Sequence, residues 1–285
     1  MTVGVLVMAY GSPATPDEVE QYYTHIRRGR PPTDEQLADL RMRYDAVGGT
    51  STLRARTQAQ ADTLQRALGD GFRVALGMKH ASPFIEDGAA ELSKDCERIV
   101  GLVLAPHFSA MSVGEYIERA RESSTVPFTA IESWATEPAY VEFLASAVRD
   151  ALATMPDGTR VLFTAHSLPA RILDTGDPYP GEVRATADAV AALVDIAYDT
   201  GWQSAGRTPE PWLGPDVLEV VDACTDPGLL VCPCGFVSDH LEVAYDLDIQ
   251  AAKAAAEQGI AFARTRVLND DATVLGALAE RVRGA

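Results

Sequence analysis

Three side chains carry the chemistry for which this sequence can be read: His166, Glu242 and Asp246. His166 ends the apolar run Arg160-Val-Leu-Phe-Thr-Ala165, with Ser167 and Pro169 behind it. Glu242 and Asp246 follow a second apolar run, Leu229–Cys232, on a stretch from Gly235 to Asp248 that predicts a helix beginning near Ser238. Ser238 or Asp239 is the expected cap, and Glu242 stands three residues after Asp239, a capping-box spacing. Carboxylates four residues apart share one helical face, here beyond the carboxyl end of a strand. On spacing alone the plain reading is a closed capping box and a solvated Asp246. His166 changes that reading. If the two strands are neighbours, imidazole and Glu242 meet across the mouth of a cleft. Such a pair passes protons near neutral pH, or holds a divalent first-row ion through mixed N and O donors. With two or three protein ligands the site keeps open positions and releases its ion, unlike a closed structural site.

Other strand ends supply further polar groups. Gly11 and Pro13 predict a tight turn with Tyr10 at its lip; no G-x-G-x-x-G follows, so this is not a dinucleotide loop. His80 and His107 close the second and third strands, where a lone histidine is more often a hydrogen-bonded structural residue than a ligand. The segment Gly201–Pro215 is rich in Gly and Pro and must be a loop. Its two tryptophans suit a wall for a flat ligand and a packed inter-element loop equally.

These residues need a scaffold, and the hydrophobic pattern describes one. Short apolar runs at Val3–Met8, Phe72–Gly77, Ile99–Ala105, Phe128–Ile131, Val161–Thr164, Leu229–Cys232 and Ile260–Arg264, with a weaker one near Tyr198–Ser204, read as strands buried on both faces. Amphipathic stretches separate them, among them Pro16–Arg27, Thr33–Asp45, Leu53–Leu68, Pro138–Thr154 and Val183–Ala197. The alternation predicts an α/β protein of two similar doubly wound, Rossmann-like halves, each with a parallel four-stranded sheet flanked by helices. The halves are expected at 1–135 and 136–285, facing each other across a cleft, with the last helix, Asp271–Arg283, free to pack on either.

Composition bounds the partners. A chain of 285 residues with 47% hydrophobic residues buries a sizeable core, and no apolar run approaches the ~18 residues of a membrane span. The start, Met1-Thr-Val-Gly-Val, lacks a basic region and predicts no signal peptide, hence a cytoplasmic protein. A net charge of −17 argues against nucleic acid and anionic membranes as partners. An anionic small molecule would need a local basic cluster, and His25-Ile-Arg-Arg-Gly-Arg30 with Arg41 and Arg43 is one. Cys96, Cys224, Cys232 and Cys234 match no common zinc spacing and are expected to be buried, reduced thiols.

Taken together, the motifs resemble the ferrochelatase family, most closely its soluble branch that metallates coproporphyrin III. The resemblance rests on Val5-Leu-Val-Met-Ala-Tyr-Gly-Ser-Pro13, Tyr22-Tyr-Thr-His-Ile-Arg-Arg-Gly-Arg30, Lys79-His-Ala-Ser-Pro-Phe-Ile-Glu-Asp87 and Leu104-Ala-Pro-His-Phe-Ser109. It continues through Ala165-His-Ser-Leu-Pro169, Gly201 to Pro215 and Gly235 to Asp248, in family order over nearly the whole chain. It implies a monomer with a porphyrin cleft between its halves, inserting Fe2+ into coproporphyrin III with release of two protons. Protoporphyrin insertion, cobalt chelation and a haem or porphyrin carrier are the alternatives. It further implies that His166 and Glu242 flank the metal on one face of the ring and that Tyr10, opposite, ligates the product iron. Arg27, Arg43, Tyr44, Ser51 and Tyr116 resemble the residues contacting the macrocycle and its propionates, and Asp246 an outer metal position. Close relatives extend the carboxylate row to a Glu where this chain has Gln250. Some relatives carry a 2Fe–2S cluster on cysteines near the C-terminus, but none follows Cys234 here, so no cofactor is expected and Fe2+ is a substrate.

Overall fold

The computed structural model describes residues 2–285; Met1, where the first expected half and the expected leaderless start begin, lies outside the described residues. The first half runs β1 (Val3–Ala9), α1 (Val19–Ile26), α2 (Asp34–Ala46), α3 (Leu53–Leu68), β2 (Phe72–Met78), α4 (Ile85–Asp95), β3 (Arg98–Val103), α5 (Val113–Ser123) and β4 (Phe128–Ile131). Helix α6 (Pro138–Leu152) leads to β5 (Arg160–His166), α7 (Tyr179–Val194), β6 (Asp199–Gln203), α8 (Val217–Ala223) and β7 (Gly228–Cys232). There follow α9 (Leu241–Ala244), a π-helical segment Asp246–Ala251, α10 (Ala252–Glu257), β8 (Ala261–Arg264) and α11 (Ala272–Gly284).

The strands form two four-stranded sheets, ordered β2-β1-β3-β4 and β6-β5-β7-β8, and every pairing is parallel. The second sheet repeats the first, as the alternating pattern predicts. Parallel strands need both faces covered, which is why β1 carries Val5, Leu6, Val7 and Met8 in succession, all at most 1% exposed. Side chains alternate between faces. Val5 and Val7 join the core that runs through the interior of both halves, whereas Leu6 and Met8 pack beneath α4 and α5.

That central core was not legible beforehand. Val5, Leu64 and Leu102 of the first half belong to the same apolar cluster as Phe163, Leu230, Leu275 and Leu278 of the second. Helix α11 supplies much of the join, and Arg283 at its end donates to the Leu68 carbonyl of α3 at 3.3 Å. Among the described residues no helix is long and apolar enough to cross a membrane.

Three local expectations need correction. The helix before Glu242 begins at Leu241, not near Ser238, and its cap is His240, whose Nδ1 accepts from the Glu242 N–H at 3.2 Å. Helix α7 starts a turn earlier than expected, at Tyr179, because Pro180 fits a first helical turn that has no bond to lose. Helix α8 went unread: seven residues between a Pro-rich loop and a strand show little periodicity, although Asp216 and Glu219 close a capping box there.

Candidate active site

Strands β5 and β7 are adjacent, with Phe163 opposite Cys232, so the chain leaving β7 emerges beside His166. Gly235 lets it pass: its N–H donates to the Thr164 carbonyl at 3.0 Å, and a Cβ there would stand 2.5 Å from the Ala165 Cβ and 2.6 Å from its Cα. The polypeptide then turns into α9 and brings Glu242 Oε1 to 3.7 Å from His166 Nε2, each side chain 37% exposed.

The orientation of this pair follows from its neighbours. His166 Nδ1 lies 2.5 Å from the Ser167 carbonyl, which only accepts, so Nδ1 carries a proton and Nε2 is the ring nitrogen left to face Glu242. An imidazole nitrogen and a carboxylate oxygen thus converge on one point open to solvent, where a proton or a cation can be shared between them. Glu242 is also free for the task, because Asp239 has other partners: its carboxylate takes the Asn269 amide at 2.8 Å and Arg264 at 2.9 Å. No capping box forms around Glu242; the plain reading fails on this point.

Asp246 follows where the helix widens into its π turn, marked by a Gln250 N–H to Tyr245 carbonyl bond of 2.9 Å; such turns recur at functional sites. Its carboxylate is buried rather than solvated, accepts from Ser204 Oγ at 2.5 Å and lies 3.8 Å from Arg43 Nη1. Burial, then the Glu242 charge, pushes its pKa from an ordinary 3.8 up to about 6, against the Ser204 bond and the Arg43 and His166 charges. The folded chain therefore holds this proton where the unfolded chain has lost it, and stability falls as pH rises from about 4 to about 6. Asp246→Asn keeps an acceptor for Ser204 and removes the ionisation. Thermal unfolding across pH 4–8 should show the variant gaining over the parent by up to about 3 kcal/mol above pH 6, and losing that advantage towards pH 4.

The first half brings tyrosines within the field of Glu242. Tyr10, just past β1, is 41% exposed and sits 4.7 Å, ring to ring, from His80. Surrounding protein and then the Glu242 charge hold its phenol above the ordinary pKa, as they do for Tyr44. Both tyrosines are thus neutral and both feel Glu242, which belongs to the other half. Beside Tyr10 a cavity of about 580 Å3 is lined by His25, Arg28, Lys79, His80, Glu115 and Arg119.

The remaining sequence candidates divide. Arg43 joins the Asp246 cluster, stacked 5.1 Å over the Tyr245 ring; its Nε lies 3.1 Å from Asp39 yet is not aligned to hydrogen-bond it. Arg27 closes α1 with its guanidinium 5.7 Å over Tyr23. Ser51 Oγ accepts from the Leu53 N–H at 3.2 Å at the start of α3. Tyr116 is buried, with the Lys79 ammonium 5.0 Å over its ring. Sequence reasoning missed Ser204, whose left-handed backbone (φ +60°) aims its hydroxyl at Asp246, and half-buried Tyr22, which donates to the Gly11 carbonyl at 3.0 Å. Ser204 stands in the Gly201–Pro215 segment already singled out, so its position was flagged and its role was not.

Trp202 is only 6% exposed and packs against Tyr179, whereas Trp212 is half-buried with its Nε1 donating to Thr208 Oγ1 at 2.9 Å; His107 is buried on Thr186 at 2.8 Å. All four cysteines are buried and unpaired, and burial pushes the Cys232 thiol up to about 12. Among the described residues no three His, Cys, Asp or Glu side chains converge to hold a metal ion.

Comparison with known proteins gives a consistent result. A family model described as Ferrochelatase matches residues 2–285. The chain is similar to the coproporphyrin III ferrochelatase of Anoxybacillus flavithermus, 43% identical over 296 residues, covering 97% of this chain and 94% of that protein. The coproporphyrin III ferrochelatases of Halalkalibacterium halodurans (44% identical, 94% and 92% covered) and Bacillus subtilis (41%, 97% and 96%) are similar too. In fold it matches CbiX, the terminal enzyme for siroheme biosynthesis in denitrifying bacteria, with a TM-score of 0.60 at 15% identity over 99% of both chains. SirB from Bacillus subtilis with Fe3+ follows with a TM-score of 0.53 at 13% identity, over 99% of this chain and 95% of that one.

Proposed function

Since the chain belongs to the ferrochelatase family, we propose that it inserts Fe2+ into coproporphyrin III to give Fe-coproporphyrin in haem biosynthesis, releasing two protons. The observation that carries this reading is the convergence of His166 Nε2 and Glu242 Oε1 at 3.7 Å. Metallation must remove two pyrrole protons while an ion arrives, so one face of the ring needs a base and a transient ligand. His166 Nε2 is the base and takes the two pyrrole protons in turn, passing each to the solvent that its side chain, 37% exposed, reaches. Glu242 supplies an anionic oxygen that holds Fe2+ as its water is lost. Two protein donors release the ion readily, which suits a substrate metal rather than a resident one.

Tyr10, in the first half, takes the far face and becomes the axial ligand of the product iron. Asp246 is an outer station for the ion or a departing proton. Arg27 and Arg43 receive propionates, and Tyr44, Ser51 and Tyr116 contact the ring. Guanidinium forks suit carboxylates and explain a basic cluster on an acidic chain. The protein works as a cytoplasmic monomer on these small molecules, with neither nucleic acid nor membrane as partner.

Anaerobic Fe2+ with macrocycles bearing two, four or eight carboxylates, followed by absorbance, tests this. The four-carboxylate ring should be metallated fastest. A fastest rate on the two-carboxylate ring would make the protein a protoporphyrin enzyme, and tight binding without metallation would make it a carrier. Arg27→Ala should raise the coproporphyrin KM about tenfold at nearly constant kcat, the mark of lost uniform binding.

A further inference from the structure

We infer that Gln60, on α3 of the first half, is a positioning residue that sets the approach of Glu242 to His166. The inference rests on the metallation role proposed for that pair. Gln60 is 1% exposed and spends its whole amide on the second half. Its Nε2 donates to the Val237 carbonyl at 3.0 Å and the Asn269 carbonyl at 2.9 Å, and its Oε1 accepts from Ser238 Oγ at 3.2 Å. Just before α3, at its N-cap, Thr52 Oγ1 donates to the Asp239 carbonyl.

The segment so gripped, Val237–Asp239, is the lead into α9. Asn269 completes the grip: its N–H donates to the Val237 carbonyl at 2.9 Å, and its side chain holds the Asp239 N–H at 3.0 Å and carboxylate at 2.8 Å. His240 then caps the Glu242 N–H. These hydrogen bonds fix Val237–Asp239, and the backbone through His240, with its cap on the Glu242 N–H, carries that placement on to Glu242. Only an amide can donate twice and accept once at this site; Glu cannot donate to the carbonyls, and Met or Leu can do neither. Without the amide the Asn269 carbonyl and the Ser238 hydroxyl lose their Gln60 partners and the Val237 carbonyl keeps only the Asn269 N–H, which frees the segment to shift. A shift of about 1 Å at a reacting centre costs on the order of a hundredfold in rate.

The test is Gln60→Met, which keeps length and bulk, in the full chain with Fe2+ and coproporphyrin III. Expected are a kcat at least tenfold lower and a porphyrin KM within twofold of the parent. A purely structural Gln60 would lower the melting temperature and leave kcat untouched at 25 °C; that result overturns the inference. Should Gln60→Met fail to fold, Thr52→Val decides in its place: a lowered kcat with unchanged KM supports the inference, an unchanged kcat overturns it. Failure of the underlying reading looks different, for then the parent and His166→Ala proteins metallate at equal rates.

Discussion

Replacing His166 by Ala should lower kcat for iron insertion by a factor on the order of 10² to 10⁴ while coproporphyrin III still binds. The expectation follows from the ring's surroundings. Nδ1 is held by the Ser167 carbonyl at 2.5 Å, so only Nε2 is available to accept a proton, and it points at Glu242. The His166 carbonyl, moreover, accepts from Tyr179 Oη at 2.9 Å, which fixes the backbone independently of the side chain. Removing the imidazole therefore removes the proposed base and leaves the backbone behind it held. The porphyrin KM should stay within a few-fold, since the residues proposed for the propionates lie on α1 and α2. Stopped-flow metallation alongside fluorescence quenching of the bound free base separates the two quantities. Weakened binding at constant kcat would assign His166 to substrate holding instead.

Gly235→Ala should be the most damaging single methyl group near the site. The added Cβ would meet the Ala165 Cα at 2.6 Å and Cβ at 2.5 Å, and neither is a side-chain end that can swing away. Strands β5 and β7 must separate where their carboxyl ends deliver His166 and the approach to Glu242. Overpacking of this kind costs about 3 kcal/mol. For a chain of this size that is a fall in melting temperature on the order of 10 °C. Activity should fall further than stability predicts, because the pair opens. Gly181→Ala is the internal control: nothing stands within 4 Å of its Cβ position, and in the first turn of α7 the change should be neutral or slightly stabilising.

What could be read from the residues follows a physical divide. Strand positions were legible because parallel strands buried on both faces leave uninterrupted apolar runs; Phe128–Ile131 was placed as observed. Even the meeting of His166 with Glu242 was accessible, since in an open α/β sheet functional groups gather beyond the carboxyl ends of the strands. Long-range partnerships were not. Asp239 and Glu242 have a capping-box spacing, yet Asn269 and Arg264 draw Asp239 away and a histidine nitrogen caps the helix instead. No local preference encodes that choice. Asp246 looked like a solvated carboxylate because the basic partner that it shares a pocket with, Arg43, belongs to α2 in the other half. Nor did any periodicity reveal the single core joining both sheets, because each strand shows that it is buried and not what buries it.

Coproporphyrin III bound to this protein in a crystal puts the central claim to its most direct test. The ring should lie between the halves with His166 Nε2 and Glu242 over one face of its nitrogens and the Tyr10 hydroxyl beneath the other. A ring seated away from that pair, or one with Tyr10 and His166 on the same face, contradicts the account.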